Sequence, residues 1–223
     1  MKKYLFEFLA IFIGIIAAFG LEEWRDNKNE REETLKALTL IKMDLQRDTS
    51  LYNLRLKLID RNTEYLELGS LKEEISVNQF RKLHKGLRAA VEYKVYDYGY
   101  NYLKNNIHNP KVNNDSILMS LGYYHALSSP EGNYGRLNMD YWELTGVNYQ
   151  KLFEVFPNFF SQDTTLANQE ILAKKTDFFQ DPYWVGRINL TKRDNKDIIK
   201  SIFEKNRQFA IDILQLIDKE ISQ

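Results

Sequence analysis

An apolar run from Phe8 to Leu21, led in by Tyr4, Leu5, Phe6 and Glu7 and followed by Trp24, constrains this chain more than any other stretch. Such a segment has no polar face to turn to water. At a rise of ~1.5 Å per residue, the roughly 20 residues from Tyr4 to Trp24 match the ~30 Å hydrocarbon layer of a bilayer. Residues 1–24 therefore read as a transmembrane anchor in contact with the lipid bilayer. Tyr4 and Trp24 stand where interfacial aromatics sit, and Lys2 and Lys3 can reach headgroups, so these four are its interface anchors. A cleaved signal peptide is the competing account, because two lysines, a short apolar region and Ala18-Phe19-Gly20 share its outline. The charged helical pattern that follows Leu21 without a loop-like break favours retention.

On a helix, Glu7, Ala10, Gly14 and Ala18 share one face with Ala17 and Leu21, while Phe8, Leu9, Phe12, Ile13, Ile16 and Phe19 occupy the other. Small residues at four-residue spacing let helix backbones approach closely in lipid, so this face is expected to pack against a membrane-protein partner or a second copy and to present Glu7 there. The plainer reading has Glu7 snorkel to water. The short basic tail favours a cytoplasmic N-terminus, placing the protein in the inner (cytoplasmic) membrane with its large domain periplasmic.

The string Glu7-Phe-Leu-Ala-Ile-Phe-Ile-Gly14-Ile-Ile-Ala-Ala18-Phe-Gly-Leu21-Glu-Glu-Trp24-Arg-Asp-Asn27 resembles the start of a family of single-pass membrane proteins, a domain of unknown function common in Bacteroidota-type bacteria. The matching positions are Glu7, Ile13-Gly14-Ile15, Ala18 and Trp24. A weaker likeness continues at Tyr100-Asn-Tyr-Leu103-Lys-Asn and at Ile117-Leu-Met-Ser-Leu121-Gly-Tyr123-Tyr124. The sequence departs from the family in having Glu22-Glu23 before the Trp, and 130–190 has no counterpart. The resemblance implies architecture, and no activity.

Beyond the anchor the chain reads as helix. No Gly or Pro occurs between Leu21 and Leu68, and Leu38, Ile41, Leu45, Tyr52, Leu56 and Ile59 recur at helical spacing. Residues 25–68 are thus a charged stalk passing into a long first bundle helix. Residues 69–223 form the remainder of the helical domain. Ser76 and Gln79 form a capping box for a helix through Phe80, Leu83, Leu87 and Val91. Tyr93 to Tyr102 leads into a short helix ended by Asn109-Pro110, and Asn113, Asn114 or Asp115 caps another carrying Ile117, Leu121, Tyr124 and Leu127. Residues 130–190 are the least regular: Leu137, Tyr141 and Leu144 suggest one helix, Leu152, Phe153 and Phe156 another before Pro157, and a third runs from Thr165 to about Lys175, while Phe178, Phe179, Tyr183 and Trp184 crowd a loop around Asp181-Pro182. A closing amphipathic helix spans 194–222. The expected class is mainly α: an N-terminal transmembrane helix, a long stalk helix and an antiparallel helical bundle.

With 31 basic and 31 acidic residues the chain lacks the basic excess of a nucleic-acid binder, and without cysteine it can form no disulfide, thiolate metal site or Cys nucleophile. His84, His108 and His125 have no partner at metal-ligand spacing, and Asp44 and Asp48 read as surface carboxylates sharing a helical face. No catalytic, cofactor or metal motif is present, and no cofactor is expected. The unusual feature is aromatic content: 14 Tyr, 13 Phe and 3 Trp. Most should fill the core, but interfaces favour the same residues, so Tyr96, Tyr98, Tyr100, Tyr134, Tyr141, Tyr183 and Trp184 form a candidate partner surface. The expected function is that of a membrane-anchored, non-enzymatic accessory, sensor or scaffold protein that binds a protein partner. The alternative is a subunit of an ion-driven motor or transport complex using Glu7.

Overall fold

The computed structural model describes the backbone of residues 2–87, 94–129 and 132–222, and within these all side chains except those of 2–8, 10, 128, 133, 134, 138 and 141. Helix α1 (Lys2–Glu67) passes into a 3-10 segment, Leu68–Glu74, followed by α2 (Val77–Leu87), α3 (Tyr98–Asn106) and α4 (Ser116–Ser128). Then come α5 (Asn133–Val155), α6 (Thr164–Gln180) and α7 (Pro182–Asp194), a π turn over Asn195–Ile199, and α8 (Lys200–Ile221). Among the described residues there is no strand, so the mainly α class holds.

The membrane-spanning part of that expectation is not supported: among the described residues no helix is long and apolar enough to cross a membrane. The side chains of Glu7, Phe8 and Ala10, which open the run in the sequence, lie outside the described set.

Local signals start several helices where the sequence places them. The Ser76 N–H donates to Gln79 Oε1 (2.9 Å) and the Gln79 N–H to Ser76 Oγ (3.3 Å), the reciprocal capping box. Val91 lies outside the described residues. Asn114 Oδ1 accepts from the Ser116 N–H (3.0 Å) at the head of α4. In 130–190, expected to be the least regular part, α6 covers the helix expected from Thr165 to about Lys175, a single helix, α5, stands where two are expected, and α7 replaces the expected loop around Asp181-Pro182. Asp163 caps α6 by accepting from the Thr165 and Leu166 N–H groups, and Asp181 caps α7 with Pro182 at its first position. Pro costs nothing there, because the first N–H groups of a helix have no intrahelical partner. Asp181-Pro182 therefore begins a helix, and the helical run continues through the π turn into α8.

The chain divides into two compact units, one of Met1–Gln46, Tyr96–Gly122 and Asp212–Gln223, the other of Arg47–Val95 and Tyr123–Ile211. In the first, α3 lies against α1, Gly99 at Ile41 and Tyr102 at Glu33, to which the Tyr102 hydroxyl donates at 2.7 Å. A Cβ on Gly99 would lie 2.4 Å from the Ile41 nitrogen, so only glycine permits this approach. Asp97, the cap residue of α3, makes no side-chain cap bond; Asp44 of α1 supplies one, accepting from the Gly99 N–H at 2.7 Å. Asp44 is thereby 5% exposed rather than a surface carboxylate, and its charge sits at the positive end of the α3 dipole. Nearby, Glu220, 2% exposed, pairs with Arg31 and accepts from the Asn113 N–H (2.8 Å). Thr34 Oγ1 accepts from the Lys111 N–H (3.0 Å).

In the second unit the core is aromatic. The Phe80 ring meets Phe178 at 4.9 Å, Phe156 at 5.3 Å and Phe179 at 6.1 Å, and Trp184 stacks on Phe178 at 4.7 Å. Asp48, also expected at the surface, is fully buried. Its Oδ2 accepts from the Tyr124 hydroxyl at 2.8 Å, which leaves the Tyr52 hydroxyl, 2.8 Å from that of Tyr124, as donor to Tyr124. Along α1, Asp60 pairs with Lys200, and Glu67 with both Lys196 and Lys192. The pairing order sets this part of α1 antiparallel to the chain from α7 to α8.

Two outcomes follow for stability in urea followed by circular dichroism. Gly99→Ala should destabilise by about 2 kcal/mol or more through overpacking, and Asp44→Ala by roughly 1–3 kcal/mol, since it strands a buried N–H. An unchanged unfolding midpoint for Gly99→Ala would contradict the close approach. Hydrogen bonds from Lys192, then Lys196, hold the Glu67 carboxyl below its ordinary value of 4.5. A carboxyl depressed on folding contributes stability above its unfolded value and loses it as pH falls through its folded one. The stability difference between the native chain and Glu67→Gln should thus be largest above about pH 4.5 and fade in more acid solution; a difference that grows on acidification would refute the pairing.

Candidate functional site

The structure separates the residues of the expected partner surface. Tyr96 and Tyr98, at the approach to α3, are 46% and 67% exposed, and Tyr100 is half-buried. Tyr183 belongs to the other unit and is half-buried: its hydroxyl donates to Asn148 Oδ1 at 2.7 Å, Lys151 Nζ lies 4.6 Å from its ring, and burial raises its pKa. Trp184 is 1% exposed and must be removed from the surface, because its indole fills the core against Phe178. The side chains of Tyr134 and Tyr141 lie outside the described residues.

Of the expected membrane-helix residues, Lys2, Lys3, Tyr4, Glu7 and Ala10 have side chains outside the described set. Gly14 has open space where a Cβ would project, Ala18 is exposed, and Trp24 is 64% exposed with Lys28 Nζ 5.8 Å from its ring. The histidines do not converge. His84 is buried against the edges of Tyr149, Phe159 and Phe160, His125 packs against Tyr124, and His108 is exposed. Among the described residues no group of three or more metal-ligating side chains gathers.

A continuous aromatic surface does exist, on α5. Trp142, Gly146, Tyr149 and Phe153 recur at intervals of four, three and four residues and so share one helical face. Trp142 is 58% and Phe153 47% exposed, and Met139 beside them is 58% exposed. Phe160, just beyond the helix and 46% exposed, extends the stripe by meeting Phe153 at 5.2 Å and Tyr149 at 5.7 Å. Gly146 leaves a gap between Trp142 and Tyr149, where an added Cβ would touch nothing within 4 Å. Another face of α5 holds the buried Thr145, Asn148 and Leu152. Exposed Glu143 and Glu154 border the stripe on its solvent side, next to Met139, and neither makes an ion pair among the described residues.

Aromatic faces attract cations, and carboxylates beside them add to the attraction, so this surface suits an apolar segment that also carries Lys or Arg. The sequence held the signal in the spacing of Trp142, Tyr149 and Phe153. Only because α5 is one unbroken helix, Asn133–Val155, rather than two short ones, do these residues share a face.

Because its side chain stands in water, Trp142→Ala should change stability by less than about 0.5 kcal/mol, whereas Phe156→Ala should cost roughly 3–5 kcal/mol. Urea titrations of both variants check this, and a Trp142→Ala loss comparable to that of Phe156→Ala would mean the stripe is core.

In comparisons with protein-family models, curated proteins and solved structures, the chain matches no family, no curated protein and no solved structure.

Proposed function

We propose that this protein is a membrane-anchored helical accessory or scaffold protein that binds a protein partner through the aromatic stripe of α5. One observation carries the reading. The chain buries Phe80, Phe156, Phe178, Trp184, Tyr52 and Tyr124 to 2% exposure or less, yet leaves Trp142, Phe153 and Phe160 roughly half exposed along a single surface. Scattered apolar residues at a surface need no account; a contiguous row of Trp, Phe and Met is what binding patches are made of. The partner segment is amphipathic, with an apolar face for the stripe and basic residues for Glu143 and Glu154.

The anchor half of the reading rests on the first part of α1. Leu9, Ile11, Ile13, Ile15, Ile16, Phe19, Leu21 and Trp24 are between 42% and 67% exposed, and their positions point to every side of the helix. A helix apolar all round requires an apolar surrounding, which a bilayer supplies.

Affinity purification from native membranes, with mass spectrometry of what accompanies the protein, tests the first half. A partner present in stoichiometric amount should be lost from the Trp142→Ala/Phe153→Ala double variant, which remains folded; a partner retained there would move the interface elsewhere. For the anchor, Ile13→Lys/Ile16→Lys should shift the protein from the alkali-resistant membrane fraction to the soluble one. A native chain that is itself soluble would dispose of the anchor.

A further inference from the structure

The 3-10 segment after α1 holds the only non-glycine residue with positive φ among the described residues, Lys72, at φ 46° and ψ −123°. These are the angles of the first central residue of a type II′ turn, a place that glycine takes without strain and other residues take at a cost of about 1–3 kcal/mol. Glycine would remove the strain. Lysine keeps it, and Lys72 lines a cavity.

That cavity has a volume of about 200 Å³ and is lined by Leu66, Phe179, Val185 and Ile188, with Glu67, Ser70, Lys72, Asn189 and Lys192 as its polar residues. Leu66, Phe179 and Ile188 are buried, so the floor is apolar, while Val185 is 42% exposed and forms part of the open wall. Lys72 has no recorded ion pair among the described residues. Lys192 shares the single carboxylate of Glu67 with Lys196, so the rim carries more positive than negative charge.

From this we infer that the cavity is a binding site for a small organic monocarboxylate, its apolar body on Leu66, Phe179 and Ile188 and its anionic head between Lys72 and Lys192. An apolar floor with a few convergent polar groups is the usual build of a small-molecule site. The volume lies below the roughly 300–1,000 Å³ of pockets for drug-sized molecules, which limits the ligand to a short chain or one ring. Asn189, exposed beside the cavity, offers an amide N–H to the head, whereas the Ser70 hydroxyl already donates to the Glu67 carbonyl at 2.7 Å. The retained strain has a function in this account: the turn fixes the Lys72 backbone at the rim. The site is independent of the α5 stripe and would stand if the partner reading failed.

Hexanoate is the probe, added to the full-length chain in isothermal titration calorimetry, with 1-hexanol and inorganic phosphate as the uncharged and the purely anionic comparison. Hexanoate should bind at one site and both comparison molecules at least tenfold more weakly. Val185→Phe, which fills the open wall without touching the buried floor, should abolish binding. Lys72→Gln should weaken it about tenfold or more, in the range of one charge-assisted hydrogen bond. Lys72→Gly supplies a readout of opposite sign, since it should raise the urea midpoint by relieving the turn while weakening hexanoate. No saturable binding by the native chain would overturn the proposal, as would equal binding of hexanol, or affinity unchanged in both Val185→Phe and Lys72→Gly.

Discussion

Two buried carboxylates on α1 govern what can pack beside that helix. Asp44 and Asp48 lie one turn apart, 5% and 0% exposed, and a carboxylate taken out of water must be given hydrogen-bond donors or lose more free energy than its neighbours can restore. Asp44 receives the N–H of Gly99, which brings the head of α3 close enough that residue 99 can carry no side chain. Asp48 receives the Tyr124 hydroxyl, and through it the donor capacity of Tyr52 is used as well. Each demand is directional, whereas the apolar seam of Leu38, Ile41, Leu45, Ile59 and Leu66 would tolerate many neighbours. Burial holds α1 in contact; the carboxylates decide with what.

The aromatic residues show the same division between quantity and direction. Phe80, Phe156, Phe178 and Trp184 form a core of edge-on and stacked rings, and their packing leaves one face of α5 inward, with Leu152, Asn148 and Thr145. Once that face is committed, a helix of 3.6 residues per turn has no choice about where Trp142 and Phe153 point. Their exposure is thus a consequence of the core, and its interest lies in the fact that a helix with no task there could carry polar residues instead. The acidic border of the stripe and the cationic mouth of the cavity beside Lys72 give the second unit two surfaces of different chemistry.

Local signals were legible wherever one or two residues suffice to make the bond. The capping box of Ser76 and Gln79 and the cap at Asn114 need no tertiary partner, and both stand where the sequence puts them. Asp163 and Asp181 are caps of the same kind; the first opens a helix the sequence places at Thr165, and the second lies where the aromatic crowding of Phe178, Phe179, Tyr183 and Trp184 suggests a loop. Pro182 was read as a breaker when its position makes it a helix starter. The exposed aromatic stripe was legible only in kind: Trp184 and Trp142 are both aromatic residues on helices, and nothing within a few residues of either distinguishes the buried one from the exposed one.

The sequence by itself determined the helical class, because a chain free of Gly and Pro from Leu21 to Leu68, with apolar residues at helical spacing, can satisfy its backbone and hide its seam in no other way. It also determined that the run from Phe8 to Leu21 is apolar on every side. Tertiary structure alone decided that Asp44 and Asp48 are interior, that Trp184 is core while Trp142 is surface, and that Lys72 occupies a strained turn at a cavity. The physical reason is that helix formation is a bargain between residues three and four apart, whereas burial and strain depend on groups scores of positions away, as Gly99 is from Asp44 and Tyr124 from Asp48.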